Sequence, residues 1–122
     1  MTHLPQPVWQ TIGDYLKKYR SIEASDELRE KVEQTCDVRL FDGGCFIAQG
    51  NEFDLFVVPE KRGQWRIRST VTTYLNDMMD KYGSIIVKIY DDNKASLRLA
   101  RHFGFREVDR TGNMIRLEKH HG

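Results

Sequence analysis

The chain has few of the features that mark membrane proteins, secreted proteins or proteins of strong charge. Its 122 residues include two cysteines and three prolines, and 19 basic residues are balanced by 18 acidic residues. The longest apolar runs, such as residues 55–58, are far below the ~20 residues that a membrane span needs. No basic stretch followed by an apolar run begins the chain, so we expect no signal peptide, no membrane partner and a cytoplasmic location. With a net charge of +1, any anion site is local.

The cysteines and histidines show no spacing that is typical of a metal site, so no metal is expected. Cys36 and Cys45 lie on either side of a turn near Gly43. Antiparallel pairing around this turn would place Leu40 opposite Cys45 and leave Cys36 several residues away. A disulfide is therefore not expected, and both thiols should be reduced and partly buried. The four histidines are His3, His102, His120 and His121.

The composition, with 39% hydrophobic and 30% charged residues, is that of an ordinary soluble globular protein. The length suits one domain over residues 1–122, with a single core. No internal repeat and no low-complexity segment interrupts the sequence.

Hydrophobic periodicity predicts two helices, three strands, a helix, a strand, a helix and two final strands. Pro7 suits the first turn of the first helix, and the second helix is expected to begin near Ser25 and Asp26. A hairpin is predicted around the turn 42–44, because Asp-Gly is a strong hairpin signal. The remaining elements are a strand over 52–58, a helix over 65–82 ended by Gly83, a strand over 84–90, a helix over 92–103, and a hairpin of 105–108 with 114–117.

This order of elements describes an α+β protein with a strand–helix–strand unit in its middle. Such a unit needs two parallel strands joined by a right-handed crossover. The three strands before the unit would form an antiparallel meander. The strand over 84–90 is mostly apolar, which indicates a central strand covered on both faces.

A basic loop joins the third strand to the third helix and contains Lys61, Arg62 and Arg66, with Arg68 following inside the helix. The N–H groups at a helix N-terminus suit the binding of a pyrophosphate. The generic alternative is a solvated basic turn that only caps the helix. A third interpretation is a nucleic-acid-binding surface with Trp65 as a stacking group, which the neutral net charge and the small patch disfavour.

Two motifs on consecutive elements resemble the acetyl-CoA-binding core of the GNAT superfamily of N-acetyltransferases. The first is Val57-Val58-Pro59-Glu60 followed by Arg62-Gly63, which matches the end of a strand and its phosphate loop. The second is Asn93, which opens a helix leading to Gly104-Phe105. Each motif alone also fits ordinary helix capping. Together they extend the resemblance over roughly residues 38–117.

The resemblance implies a GNAT-like (acyl-CoA N-acyltransferase) fold, with a central mixed sheet of about six strands flanked by about four helices. It implies acetyl-CoA as the cofactor, and an amine of a small molecule or protein as the acceptor. Asn93 would cap its helix and support the cofactor arm. The implied cofactor-binding residues are Val57, Val58, Arg62, Gly63, Gln64, Trp65, Arg66, Ile67 and Asn93.

The chain departs from the superfamily pattern where the chemistry is most exacting. Trp65 and Ile67 stand where the motif has small residues, and Ala100 stands where many members have a tyrosine general acid. Glu52 and Asp54 share one face of a strand and are the candidates for the catalytic base that the acceptor amine needs. Two carboxylates on a strand are also common as solvent-exposed residues.

These departures leave two functions open within the same fold. One is an acetyl-CoA-dependent N-acetyltransferase. The other is a catalytically degenerate structural or assembly protein with a protein partner, such as the shortened acetyltransferase-like proteins of some bacteriophage virions and heads. In the second case the location would be the virion.

Overall fold

The computed structural model describes residues 2–120, and its elements follow the predicted order. A short 3-10 turn, Pro59–Lys61, lies between β3 and α3. The four helices are α1 (Gln6–Arg20), α2 (Asp26–Thr35), α3 (Trp65–Tyr82) and α4 (Lys94–His102). The six strands are β1 (Asp37–Phe41), β2 (Gly44–Gln49), β3 (Glu52–Val57), β4 (Ser84–Tyr90), β5 (Arg106–Thr111) and β6 (Met114–His120).

The six strands form one mixed sheet in the order β1-β2-β3-β4-β6-β5. Strands β3 and β4 are parallel, with Glu52 opposite Ile86, whereas β1–β2, β4–β6 and β5–β6 are antiparallel pairs. Because β3 precedes α3 in the chain and β4 follows it, this parallel pair confirms the predicted strand–helix–strand unit. The α+β class, the six strands and the four helices are confirmed with it.

The chain divides into two compact units, one of residues 2–49 with 55–67 and the other of residues 50–54 with 68–120. The first unit contains α1, α2, β1, β2 and the end of β3. The second contains the start of β3, most of α3, and β4, α4, β5 and β6. That residues 1–122 form one domain stays a prediction.

The core of the first unit forms where α1 packs on the β1–β2 hairpin. Pro5 precedes α1 in an extended conformation, and Pro7 lies in its first turn as predicted. The N-cap of α2 is Ser25, whose side chain accepts a hydrogen bond from the N–H of Leu28 at 3.1 Å. Leu28 and Val32 of α2 are half-buried against this core. Its buried members are Leu4, Val8, Trp9, Ile12, Val38, Cys45 and Val58.

The β1–β2 hairpin has the predicted register. Leu40 lies opposite Cys45, which leaves Cys36 outside the paired residues. Both cysteines are free thiols, with Cys45 buried and Cys36 half-buried. The absence of a disulfide between them follows from this register, as expected.

The buried residue of α2 is an acid, which the hydrophobic pattern did not predict. Glu33 accepts a hydrogen bond from the N–H of Leu4 at 2.5 Å, and the Leu4 side chain is fully buried. Arg29 lies 3.7 Å from the same carboxylate and also donates to the Leu4 carbonyl. His3 Nδ1 lies 3.4 Å from Glu33 Oε1. The pair of Arg29 and Glu33 thus fastens the segment before α1 onto α2.

The core of the second unit combines one face of α3 with the sheet. Val71, Tyr74, Leu75, Met78 and Met79 are the buried residues of α3. The ring of Tyr74 lies 5.2 Å from that of Phe53 on β3. Gly83 ends α3 with a φ of 75°, a left-handed conformation that favours glycine.

Two strand predictions needed adjustment. Ile85 and Val87 of β4 are buried, but Ile86 on the opposite face and Ile89 on the same face are only half-buried. The last hairpin is longer than predicted, with β5 continuing to Thr111. This extension was missed because the charged residues of β5 show no alternation of apolar and polar side chains. A register shift between Glu107 and Asp109 interrupts the same strand. In addition, α4 begins two residues later than expected.

The Glu33 carboxylate should make the stability of the fold depend on pH. The hydrogen bond from the Leu4 N–H is the largest cause that holds the pKa of the Glu33 carboxyl below its ordinary value of 4.5. A lowered folded-state pKa gives stability that is fully present above pH 4.5 and is lost as the pH falls through the folded pKa. We predict that Glu33→Gln lowers the free energy of unfolding at neutral pH, and that its difference from the wild type shrinks in acid.

Urea denaturation at neutral and acidic pH measures this difference. Glu30→Gln, at an exposed position of the same helix, is the matched control and should differ little from the wild type at either pH. A Glu33→Gln effect that is equal at both pH values would contradict the assigned role of the carboxylate.

Candidate functional site

The segment 57–67 connects β3 to α3, and the turn between β1 and β2 holds it in place. The N–H of Val58 donates to the Gly43 carbonyl at 2.7 Å, and Lys61 Nζ lies 3.7 Å from the Asp42 carboxylate. The stem of Lys61 crosses Gly43, where an added Cβ would lie 2.5 Å from Lys61 Cγ. Lys61 therefore fixes the loop to the hairpin.

Gly44 allows this turn to approach the end of β3 closely. A Cβ at Gly44 would collide with the backbone carbonyl of Phe56 and would lie 2.7 Å from Phe41 Cζ. Its neighbour Gly43 has a φ of 95°, which few other residues adopt. The turn thus supports the basic loop as well as closing a hairpin. Sequence reasoning missed this role, although a Gly-Gly pair is a signal for close backbone approach.

The backbone groups that the resemblance assigned to the cofactor already have intramolecular partners. Arg62 Nε donates to the Val57 carbonyl at 3.0 Å, and the Val58 N–H is bonded to Gly43. Because backbone groups alternate along a strand, the Val57 carbonyl points to the opposite edge from the Val58 N–H. A ligand that used the Val57 carbonyl in the same direction would have to displace the Arg62 guanidinium.

Half of the loop amides between residues 62 and 67 donate to carbonyls of the loop itself. Of the other amides, those of Gly63 and Trp65 are the candidates for binding an anion. Gly63 has a φ of 78°, and an added Cβ there would meet no atom within 4 Å, so the space beside it is open. The three intramolecular bonds run from Arg62 to Pro59 at 3.3 Å, from Gln64 to Lys61 at 3.4 Å, and from Ile67 to Gln64 at 3.1 Å.

The two bulky side chains in the motif have different surroundings. Ile67 is half-buried, whereas Trp65 leaves 76% of its surface exposed. Gln64 and Arg66, on either side of Trp65, are also exposed. The substitution at Ile67 therefore adds to packing, and the one at Trp65 places an indole in solvent.

The electrostatics of the loop favour an anion. From Lys61 to Asn76 inclusive, the sequence has four basic residues and no carboxylate, and Glu60 directly precedes this stretch. The first turn of α3 has no acidic residue. The partial positive charge of the helix N-terminus adds to that of the arginine side chains.

In the second unit, Asn93 caps α4 as predicted. Its side-chain oxygen accepts from the N–H of Ser96 at 3.3 Å, and its carbonyl accepts from the N–H of Leu97 at 3.1 Å. The N–H of Asn93 donates to the Tyr90 carbonyl at 3.0 Å, which ties the cap to the end of β4. A contact of Asn93 with a cofactor arm stays a prediction.

The two candidate bases lie on the first three residues of β3, also in the second unit. Glu52 Oε1 lies 3.4 Å from Lys88 Nζ, so this carboxylate is held in an ion pair. Asp54 is exposed and shares the face of Glu52, because side chains alternate along a strand. Of the two carboxylates, Asp54 is the more exposed to solvent.

Ala100 provides no proton donor at the position of the missing tyrosine. It is 9% exposed, and its carbonyl accepts from the N–H groups of Phe103 and Phe105 at 3.2 and 3.0 Å. Two groups that could donate a proton in its place differ in exposure, with Tyr90 buried and His102 exposed.

The candidate residues fall into two groups. The loop residues from Val57 to Ile67 belong to the first unit, where Val57 and Arg62 are in direct contact. Glu52, Asp54 and Asn93 belong to the second unit.

Within residues 2–120, no group of three or more histidine, cysteine or acidic side chains could hold a metal ion. His121 lies outside the described residues. No helix in the described part of the chain has the length and apolarity required to cross a membrane.

Comparison with solved structures identifies the fold. The chain superimposes with a TM-score of 0.74 on a ribosomal-protein-alanine N-acetyltransferase from Brucella melitensis, at 14% identity over 98% of both chains. A putative acetyltransferase, yncA, from Salmonella typhimurium, solved with acetyl-CoA, gives 0.72 at 12% identity, over 93% of this chain and 86% of that one. A spermidine N-acetyltransferase chimera from Vibrio cholerae and hSSAT gives 0.66 at 18% identity, over 97% and 94%.

At these identities the likeness establishes the fold, which is the GNAT acyl-CoA N-acyltransferase fold expected from the motifs. No protein-family model matches the chain, and no curated protein matches it in sequence.

The contact of Gly44 with β3 predicts a specific intolerance to a side chain. Gly44→Ala should lower the free energy of unfolding by about 1–3 kcal/mol, because overpacking against a backbone carbonyl forces the strand to move. Urea denaturation measures the loss, and acetyl-CoA titration of the folded variant reports on the loop. Gly112→Ala is the control, since its Cβ would meet nothing within 4 Å and only the φ of 60° is unfavourable. A Gly44→Ala protein as stable as the wild type would contradict the assigned contact.

Proposed function

We propose that the chain binds acetyl-CoA and transfers the acetyl group to an amine. The observation that supports this best is the basic segment 61–68, which has four cations and no carboxylate and leads from β3 into α3 within an N-acetyltransferase fold. The Salmonella neighbour is described with acetyl-CoA as its cofactor. The neighbours from Brucella and Vibrio are named for ribosomal-protein alanine and for spermidine, both of which offer an amine. The acceptor is accordingly an amine of a protein or a small molecule.

The described residues fit the phosphates of this ligand better than its pantetheine arm. Arg62 and Arg66 supply positive charge, and the open space beside Gly63 admits an anion. The backbone of Val57 and Val58 fits an extended arm only if Arg62 leaves the Val57 carbonyl. Such an exchange is affordable in energy, because a single intramolecular hydrogen bond is worth about 0.5–1.5 kcal/mol net.

Acetyl-CoA supplies a thioester carbonyl to the reaction. Asp54 accepts a proton from the acceptor amine, directly or through water, because a protonated amine is not a nucleophile. The amine nitrogen would then bond to the acetyl carbon, and the carbon–sulfur bond would break with its electron pair on sulfur. The remaining excess proton on nitrogen would pass to solvent, and the thiolate would take its proton from solvent. Ala100 has no proton to give to the thiolate. Since a general acid contributes about 10²- to 10⁴-fold, slow turnover is expected.

Ala100 also favours a second candidate function, that of a catalytically degenerate assembly protein. In such a protein the fold would bind a protein partner, as in a bacteriophage virion, without turning over the cofactor. The hydrogen bonds within the loop, which stabilise it without a ligand, favour the same candidate. Cofactor binding and turnover separate the two functions.

Isothermal titration with acetyl-CoA tests the proposal. The wild type should bind with micromolar affinity, and saturation at 100 times the dissociation constant should stabilise it by about 2.7 kcal/mol. An Arg62→Ala, Arg66→Ala double variant should bind at least ten times more weakly, because charge-assisted hydrogen bonds to phosphate are lost. A Lys17→Ala, Arg20→Ala variant removes the same charge from exposed positions of α1 and should bind normally.

Turnover is then measured with a panel of amines. Asp54→Asn should abolish product formation and leave the acetyl-CoA affinity unchanged, whereas Glu52→Gln should have a smaller effect. Absence of heat and of stabilisation at millimolar acetyl-CoA would contradict the proposal. Binding without product from any amine would favour the assembly protein.

A further inference from the structure

Trp65 is the large apolar side chain with the greatest exposure among the described residues. It is 76% exposed, compared with 52% for Val108, the next of this group, and 4% for Trp9. An exposed tryptophan gains nothing from burial within its own fold, which for a ring of this size is a substantial stabilisation. Gln64 and Arg66, which flank Trp65 in the sequence, are polar and exposed.

The loop presents this indole within a positively charged segment. Lys61 is paired with Asp42 of the β1–β2 turn, and Arg62 donates to the Val57 carbonyl, so both cations also have partners within the first unit. No carboxylate occurs between Lys61 and Asn76 to repel an anion. A ligand that matches this surface has a flat ring for the indole and negative charge for the cations.

We propose that Trp65 is a stacking surface for the adenine base of coenzyme A, with the phosphates of the nucleotide near the basic loop. This inference rests on the proposed binding of acetyl-CoA. A planar base stacks on an indole face irrespective of its sequence context, and removing such an aromatic ring typically weakens binding about 5- to 150-fold. A protein partner would need further apolar groups around Trp65, and its chain neighbours Gln64 and Arg66 do not provide them.

The same inference accounts for the departure from the motif at this position. A small residue there would give the phosphates close access to the backbone. A tryptophan gives up part of that access and adds a ring contact with the base. Binding of the nucleotide half of the ligand then depends less on hydrogen bonds from backbone amides and more on the contact with the Trp65 side chain.

Tryptophan fluorescence provides a direct test, because Trp65 and Trp9 are the two tryptophans of the chain and differ in exposure. Stacking on adenine should quench Trp65 and leave Trp9 as an internal reference. Coenzyme A and adenosine 3′,5′-bisphosphate should both quench the emission, whereas pantetheine, which has no nucleotide, should not. Trp65→Phe should lose the quenching signal and retain most of the affinity measured by calorimetry.

Trp65→Ala should bind coenzyme A about 5- to 150-fold more weakly and bind pantetheine as the wild type does. Tyr82→Ala is the matched control: Tyr82 is an exposed aromatic at the other end of α3, with Lys81 Nζ 5.2 Å from its ring centroid. It should bind coenzyme A normally. Thermal denaturation without ligand establishes that each variant is folded.

The outcomes distinguish this inference from the proposed function. Calorimetric binding of coenzyme A by the wild type, with no quenching and no loss in Trp65→Ala, overturns the stacking role and leaves acetyl-CoA binding intact. Absence of binding of every probe to the folded wild type overturns both. Quenching by the bisphosphate that is lost in Trp65→Phe, together with weak binding by Trp65→Ala, supports the inference.

Discussion

The contact between the β1–β2 turn and the end of β3 is the constraint on which the candidate site depends. The missing side chain at Gly44 lets the turn meet the Phe56 carbonyl, and Gly43 accepts the Val58 N–H. The stem of Lys61 then lies across Gly43, so that the direction of the loop is set before α3 begins. A basic segment of this kind would otherwise be a mobile surface turn, because its cations repel each other and few of its side chains are buried. The β1–β2 hairpin thus holds the basic loop in a fixed position, in which its cations can bind an anion.

The loop is stabilised without a ligand, and this has consequences for binding. Arg62 occupies the Val57 carbonyl, and several loop amides close turns on neighbouring carbonyls. A ligand therefore exchanges hydrogen bonds rather than filling vacant ones, and its net gain comes from charge and from the Trp65 ring. Charge-assisted hydrogen bonds are about twice as strong as neutral ones, so phosphates are suited to drive such an exchange. An uncharged ligand would lack that advantage.

Much of the fold could be predicted from the sequence, because local signals agree with the tertiary structure. The bounds of α3, the register that places Leu40 opposite Cys45, and the cap at Asn93 follow from periodicity, turn residues and capping preferences. The hydrogen bond from Arg62 and the ion pair of Glu52 with Lys88 could not be predicted, because each depends on side-chain positions set by other elements. The burial of Glu33 could not be predicted for a related reason. Its partner Leu4 is 29 residues away along the chain, and hydrophobic periodicity identifies only apolar faces.

Amide chemical shifts recorded while acetyl-CoA is added test the role of the loop most directly. If the loop binds the phosphates, the N–H resonances of Gly63 and Trp65 and the Nε–H resonance of Arg62 should shift with a common saturation curve. The resonance of Val108, on the exposed strand β5, should stay in place. Unchanged loop resonances at millimolar acetyl-CoA would contradict the assigned role, and the fold would then serve a function without this cofactor.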